Sequence, residues 1–520
     1  MKVLHNILFL SLGSAAIAQP NDSIFIKENE NVAISKSILW EQPIQASYLN
    51  IKNYTQVGVR YLKENQNIKR VQSADETNQF EFYTEGFYQF NPKLKVFGDF
   101  KMNQFSEKGI GYNLSNERTS ETNKILSPNY YYSPSKGDWK NQLYHISAGG
   151  SYEFLKNAFL GVTTKYNNTF YNRNSDPRPS NTSNLFDGTI SLGYTLNKHT
   201  LVANYRYVTE KLENETYYEA ANVINPSTNP DYYIKFSSGY GYKMFNSNYS
   251  KYLNKTKGNY FGASYSLKLP KTFIMASFDY GSKQTDHYMR NDNGSGITKP
   301  LEEDKFISFK AKNTTSTTTL YLNQKFDKNS FEAKAALKTN EVMNYVVNTR
   351  STNYQLKGTA LNIETLYRIN ENKWIKGVGL DAYLDQLNVK DLLGITEKQH
   401  TSIDFTIFAQ NKFNLNKNSN LFVHFGLGAY MSLKNNLMYI AATQDQDFTN
   451  NVIKRDDVYD DTKKLNAQFM MHYEVPFQNK TIRFSGSYRL LNTLNSSNLN
   501  TQYTVKGTAN YYNVGVSVIY

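Results

Sequence analysis

The chain has 520 residues, 42 Tyr, 31 Phe and no cysteine, with a net charge of +13 and a mean hydropathy of -0.61. Without cysteine there is no disulfide, thiolate metal site, Cys nucleophile or lipidated N-terminal cysteine. The low hydropathy excludes a bundle of membrane helices, and positive charge spread along the chain reads as a solvated surface, not a nucleic-acid patch.

Chain order begins with an apolar run from Ile7 to Ala18, behind Lys2 and ending in Ala16-Ile17-Ala18 before Gln19-Pro20. The run is too short to span a bilayer and has the pattern of a cleaved signal peptide, residues 1–18. Residues 19–53 form a periplasmic or lumenal arm, expected to be loosely packed, with Trp40 and Pro43 as its candidates to enter a lumen or meet a partner. The arm is far smaller than the plug of an energy-coupled receptor.

From about Tyr54 onward a single unit recurs: a period-2 segment, a tight turn, a second period-2 segment and a long polar loop. Leu94, Val96, Gly98, Phe100 and Met102 alternate with Lys95, Phe97, Asp99, Lys101 and Asn103. The same alternation sets Ile146, Ala148, Gly150 and Tyr152 opposite His145, Ser147, Gly149 and Ser151. Such alternation over about ten positions is a strand signal. Tight turns carry Asn91-Pro92-Lys93, Lys156-Asn157 and Asn197-Lys198, whereas the stretches 106–140, 210–254 and 432–461 are long and polar.

Two kinds of connection in alternation imply two different ends. An all-β transmembrane antiparallel up-and-down β-barrel over residues 54–520 meets this requirement, with short periplasmic turns and long extracellular loops. The segments pair into about 18 strands, 16 being the alternative count, and both termini then face the periplasm. In the closing segment NYYNVGVSVIY, Tyr512, Val514, Val516, Val518 and Tyr520 share one face. That face is expected in lipid, with Tyr520 in the periplasmic aromatic girdle. Ser517, on the opposite face, is expected to tolerate arginine far better than Val516.

This ending resembles the terminal assembly signal of Gram-negative outer-membrane β-barrel proteins, with Tyr520 where Phe is usual. The stretches SPNYYYSPSKGDWKNQLYHISAGGSYEF and YNRNSDPRPSN resemble an uncharacterised outer-membrane β-barrel family known only as a domain of unknown function. The resemblance covers the chain from about residue 50. It implies architecture and a cell-outer-membrane location, but no activity.

Four groups of residues are candidates for chemistry. Asp176-Pro177-Arg178-Pro179 is stiff and short of backbone donors, so it reads as an inward, pinned loop outside the ladder. A second reading makes Arg178 a ligand-contacting constriction. Tyr130, Tyr131, Tyr132 and Trp139, with Tyr232, Tyr233, Tyr240 and Tyr242, form an aromatic loop cluster that packs into a cap or stacks on a ligand or partner. Asp445, Asp447, Asp456, Asp457, Asp460 and Asp461 read as a solvated acidic loop, because their spacing matches no EF-hand. His145 and Ser147 share the lumen face about 7 Å apart by strand rise, too far for a direct hydrogen bond. His424 and His472 also face inward, and no His pair has the H-E-x-x-H spacing.

The sequence therefore predicts a non-enzymatic barrel without cofactor or metal, an accessory component of an outer-membrane uptake or binding assembly. A passive, porin-like channel is the alternative and an outer-membrane hydrolase a third reading. Expected partners are outer-membrane lipids and lipopolysaccharide, the outer-membrane assembly machinery, and another outer-membrane transporter or lipoprotein. An ordered cap and filled lumen would favour the accessory role, and an open lumen the channel.

Overall fold

The computed structural model describes residues 33–47, 53–219, 230–247, 250–289, 307–370, 374–415, 419–440, 445–495, 503 and 505–520. The signal-peptide reading of residues 1–18 lies outside the described residues.

Eighteen antiparallel strands close into one barrel. The first, β1 (Tyr54–Gln66), pairs with β2 (Glu76–Asn91) on one side and with the last, β21 (Thr508–Ile519), on the other. Lengths run from 12 residues in β21 to 20 in β18 (Asn420–Tyr439), beyond the 9–11 that cross hydrocarbon, so the strands rise past a membrane. Closure leaves no unpaired edge, the condition for backbone in lipid.

Facing follows the alternation. In β21, Tyr512 is 45% exposed and Val514 57%, while Ser517 between them and the C-terminus is 3% exposed. In β5 (Gly137–Leu155), Ile146 and Tyr152 lie outside and Ser147 and Ser151 are buried inside. At the end shared with the termini the turns are short, and Asn157, Asn197 and Gln478 take positive φ of 68°, 57° and 53° there. Asn accepts this left-handed conformation at little cost, and tight hairpins with the strand's own twist require it. Opposite lie the long connections, but two of that end's links, 174–177 and 392–395, are short too. The alternation of short and long connections is thus looser than the sequence predicts.

Three further strands lie outside the barrel wall: β4 (Asn129–Tyr132), β9 (Ile234–Ser238) and β10 (Lys243–Ser247) form a separate small sheet in the order β10-β9-β4.

For the part of the N-terminal arm among the described residues, 33–47, the expectation of loose packing is overturned. Ala33–Glu41 is a helix and Pro43–Ser47 a 3-10 turn, and both sit inside the barrel. Ile34, Ile38 and Leu39 join a buried cluster with Phe87, Phe97, Phe273, Met275, Tyr321 and Ile519, residues drawn from strands around the circumference near the terminal end. Helix residues spaced i, i+4 share a face, so Ile34 and Ile38 act as one wedge.

Candidate functional site

The candidate site is the lumen and the two bodies that close it. The inner body is the N-terminal plug. Ile38 is fully buried and Ile44 almost so. Trp40 meets Phe97 edge-on with ring centroids 4.6 Å apart. Ile44 has a seat made by two inward strand glycines. A Cβ on Gly161 would lie 2.9 Å from Ile44 Cγ1, and one on Gly193 would lie 3.0 Å from Ile44 Cδ1. The two glutamine side-chain oxygens are also met. Gln42 Oε1 accepts from Asn204 Nδ2 and Ser264 Oγ, each at 3.1 Å, and Gln45 Oε1 accepts from Ser266 Oγ at 3.0 Å. Lys36 pairs with Glu85 at 2.9 Å and Lys334 with Glu41 at 2.7 Å.

The outer body is a cap built from the long loops. Tyr131, in β4, is buried and stacks on Tyr252 at 4.8 Å with an interplanar angle of 17°. Tyr132 packs on Phe448 at 4.7 Å and donates to Asp445 Oδ2 at 2.8 Å. The tyrosine cluster therefore packs on itself. Trp139 departs from the expectation of a loop residue. It opens β5, is fully buried, and lies beneath the Arg118 guanidinium at 4.6 Å. Arg118 in turn holds Glu107 through Nε at 3.1 and 3.0 Å.

The acidic stretch is not a solvated loop. It runs as Gln446–Phe448, a π-helical turn at Thr449–Ile453 and a helix at Lys454–Asp461, N-capped by Asp445, which accepts from Asp447 N at 3.1 Å. This loop helix docks into the mouth. Asp460 takes Arg70 at 2.5 Å and Lys398 at 3.1 Å, and Asp457 takes Lys398 at 2.5 Å. Asp456 accepts from the backbone of Val71 at 2.9 Å. Burial pushes Asp456 up to about 6. Burial would raise Asp460 as well, but Arg70 and then Lys398 hold it well below the usual carboxylate range. Lys124, in the loop between β3 (Leu94–Ile110) and β4, adds an ion pair with Asp385 at 2.6 Å. Composition alone could not show this docking, because Arg70 and Lys398 lie far away in sequence.

Asp176-Pro177-Arg178-Pro179 sits at the rim. Arg178 and Pro179 begin β7 (Arg178–Leu196) and pair with Tyr217 and Thr216, so they stand inside the ladder and not outside it as expected. Arg178 Nε pairs with Asp176 Oδ1 at 2.9 Å and its NH2 with Glu219. Of the anionic partners open to Arg178, the neighbour Asp176 is used, and Asp99 is not. Asp99 instead faces His145 Nε2 at 3.2 Å and accepts from Ser147 Oγ. The serine and histidine are thus joined through one carboxylate and not to each other.

Between plug and cap lie two chambers. The outer, about 690 Å³, runs beneath the loop 115–130. The inner, about 380 Å³, is floored by Trp40 and Glu41 of the plug. Lys283, Asn313 and Lys338 line both. Among the described residues no group of three or more His, Asp or Glu is placed to hold a metal ion.

The closing strand carries the proposed assembly residues. Val516 is outward and 40% exposed, Gln56 Nε2 reaches Ser517 Oγ at 3.0 Å, and Tyr520 N donates to Thr55 O at 2.9 Å. Val518 lies opposite Val57 of β1, and Lys480 stands over the Tyr520 ring at 4.4 Å.

Residues 43–520 match a family of unknown function, DUF6850, and the chain belongs to that family. No curated protein matches the sequence. Among solved structures, it is similar to BauA, the ferric preacinetobactin receptor of Acinetobacter baumannii, at 10% identity and a TM-score of 0.38, covering 90% of this chain and 80% of that one. It is also similar to a Pseudomonas aeruginosa FadL homologue at 11% identity and 0.35, covering 93% of each chain. Outer-membrane expressed OmpT of Vibrio cholerae is matched at 9% identity and 0.34, over 90% of this chain and 97% of that one. Likeness at this level carries nothing about function.

Proposed function

We propose that the chain is a non-enzymatic outer-membrane β-barrel whose lumen is closed at rest, acting as an accessory component of an uptake or binding assembly. One observation carries this reading: the lumen is stopped from both ends by bodies with their own buried contacts, leaving polar chambers between them. A passive pore has no use for a helix wedged across its inner mouth. The outward apolar face and the aromatic C-terminus support insertion by the outer-membrane assembly machinery among outer-membrane lipids. Cap loops facing outward supply a surface for a second transporter or lipoprotein. His145 and Ser147 each bond Asp99 and not one another, which supports the non-enzymatic reading at this pair.

The test is conductance of the purified, heat-modifiable full chain in a planar lipid bilayer. The full chain is expected to be silent apart from brief openings, and a variant lacking residues 33–47 and carrying Arg70→Ala, with both bodies released, to conduct steadily. A steady current of equal size from both would establish the diffusion channel instead.

A further inference from the structure

The wall of the inner chamber is unbalanced in charge. Arg206 is neutralised by Asp187 through bonds of 2.8 and 2.6 Å, and Glu41 by Lys334. That leaves Lys165 of β6 (Ala158–Arg173), Lys283 of β12 (Thr272–Met289) and Lys338 of β14 (Asn329–Val346). Among the described residues no carboxylate pairs with any of these three, and the Lys165 ammonium stands 5.9 Å over the Trp40 ring. Against them the inner chamber sets one unpaired carboxylate, Asp279. In the outer chamber Asp385 is taken by Lys124, whereas Glu117 and Glu210 accept from Ser127 and Ser183 and keep their charge, so the cationic excess belongs to the inner chamber.

A low-dielectric wall around like charges focuses their field into the water between them. Rings of Lys and Arg are the usual lining of anion and phosphate paths. Thr163, Thr189, Thr315, Thr317, Asn204 and Asn313 surround the ammonium groups with hydroxyl and amide donors. Lys283 and Lys338 stand where the two chambers meet, so a solute passing between them meets both.

We propose that this waist is a binding site for a hydrophilic solute carrying two or more oxyanion groups, held by Lys165, Lys283 and Lys338. The proposal rests on the reading of the lumen as a closed binding chamber and gives it a ligand class. Its test does not depend on conductance, so the two can fail separately.

The full chain in detergent is incubated with pyrophosphate, or with sucrose as a neutral polyol, and its thermal unfolding followed. Pyrophosphate is expected to raise the midpoint of the wild type in a concentration-dependent way, and sucrose at the same concentrations to leave it in place. Substitution K283Q/K338Q should weaken the pyrophosphate response about tenfold or more, since each lysine supplies a charge-assisted bond. K165Q should weaken it too, whereas K328Q, in the short turn 326–329 at the end shared with the termini, should not. No rise in the wild type, or an equal rise in wild type and K283Q/K338Q, overturns the site.

Discussion

The two bodies that close the lumen are built on different physics. The plug is held chiefly by apolar contacts, with ion pairs at Lys36 and Glu41 on its edge: a short helix whose Ile34, Ile38 and Leu39 enter a ring of strand hydrophobics, with Ile44 in a glycine seat. The cap combines an aromatic stack with buried charge, Asp460 lying between Arg70 and Lys398 under a helix with three further aspartates at 456, 457 and 461. Hydrophobic transfer is indifferent to pH and modest salt, whereas buried ion pairs depend on every partner staying in place. The plug should therefore yield to shape changes and the cap to charge changes.

The largest effect is expected from Arg70→Ala. The change strips the buried Asp460 carboxylate of its shorter partner and leaves Lys398 as the remaining ion-pair partner of both Asp457 and Asp460. Removing one member of a buried pair costs about 3–5 kcal/mol. Limited proteolysis should find the loop helix cut readily while the barrel keeps its heat-modifiability. A cap that stays resistant would mean Lys398 suffices and charge is not what holds it.

Next comes the plug. Ile38→Ala removes a fully buried side chain, a change that costs about 2–5 kcal/mol in well-packed sites. Gly161→Ala attacks the same body from the wall, forcing Ile44 and Pro43 away from it toward the lumen axis at a cost of about 1–3 kcal/mol. With the cap loosened by Arg70→Ala, both should raise bilayer conductance at any pH, and Arg70→Ala alone should not release the plug. If Gly161→Ala is silent, Ile44 has more freedom than its seat suggests.

Val516→Arg places a charge on the lipid face at about 2–4 kcal/mol near the midplane. Ser517→Arg is no mild control for it, contrary to the sequence-based expectation. Ser517 is buried against Gly58 and bonded to Gln56, so both variants should lower the yield of folded, membrane-inserted protein. A well-folded Ser517→Arg would show that the seam between first and last strands has room.

Facing along the strands and the closing segment were legible because a period of two survives without knowledge of neighbours, and the tyrosines of β4 were legible only as an aromatic cluster, not as a strand. The plug was not. Gln42 and Gln45 belong to the arm expected to be loosely packed, and only contacts from Asn204, Ser264 and Ser266, more than 150 residues away by number, show their side-chain oxygens bonded inside the barrel. Two signals pointed the right way: Ile34 and Ile38 at helical spacing, and inward glycines at 161 and 193 in otherwise well-filled strands. The acidic run failed for a similar reason, since its counter-charges at 70 and 398 come from opposite parts of the chain. Proline in Asp176-Pro177-Arg178-Pro179 argued against the ladder, but a strand's first residues tolerate it.

A smaller effect separates the two bodies by pH. Asp456 has its pKa raised to about 6, above the unfolded value near 3.9, so its charged form burdens the docked helix at neutral pH. Acidification from 7 toward 4 protonates it in the folded state first and should strengthen the cap by on the order of 2 kcal/mol. Asp460 has the opposite sign. Its pKa is depressed, so its contribution is present above about 3.9 and is lost as pH falls below that. Cap protection against hydrogen exchange should thus peak between the two limbs, and Asp456→Asn should flatten the upper one. Plug protection should not follow this profile.

The smallest effect is expected at the rim. Arg178 is 26% exposed and Asp176 9%, and both stay hydrated on one side. Asp176 also accepts from the backbone of Glu219 at 3.1 Å, so Arg178→Ala does not orphan it. An ion pair of this exposure contributes about 1 kcal/mol or less. Arg178→Ala should therefore leave conductance unchanged and shift thermal unfolding slightly, with the shift shrinking further in high salt. Replacing Pro177 and Pro179 with Gly should matter about as little for the lumen, because the ladder from Arg178 to Leu196 fixes the strand once it starts. A change in ion selectivity on losing Arg178 would move this residue from the rim into the path. It would also mean that the cap, and not only the waist, reads the charge of what passes.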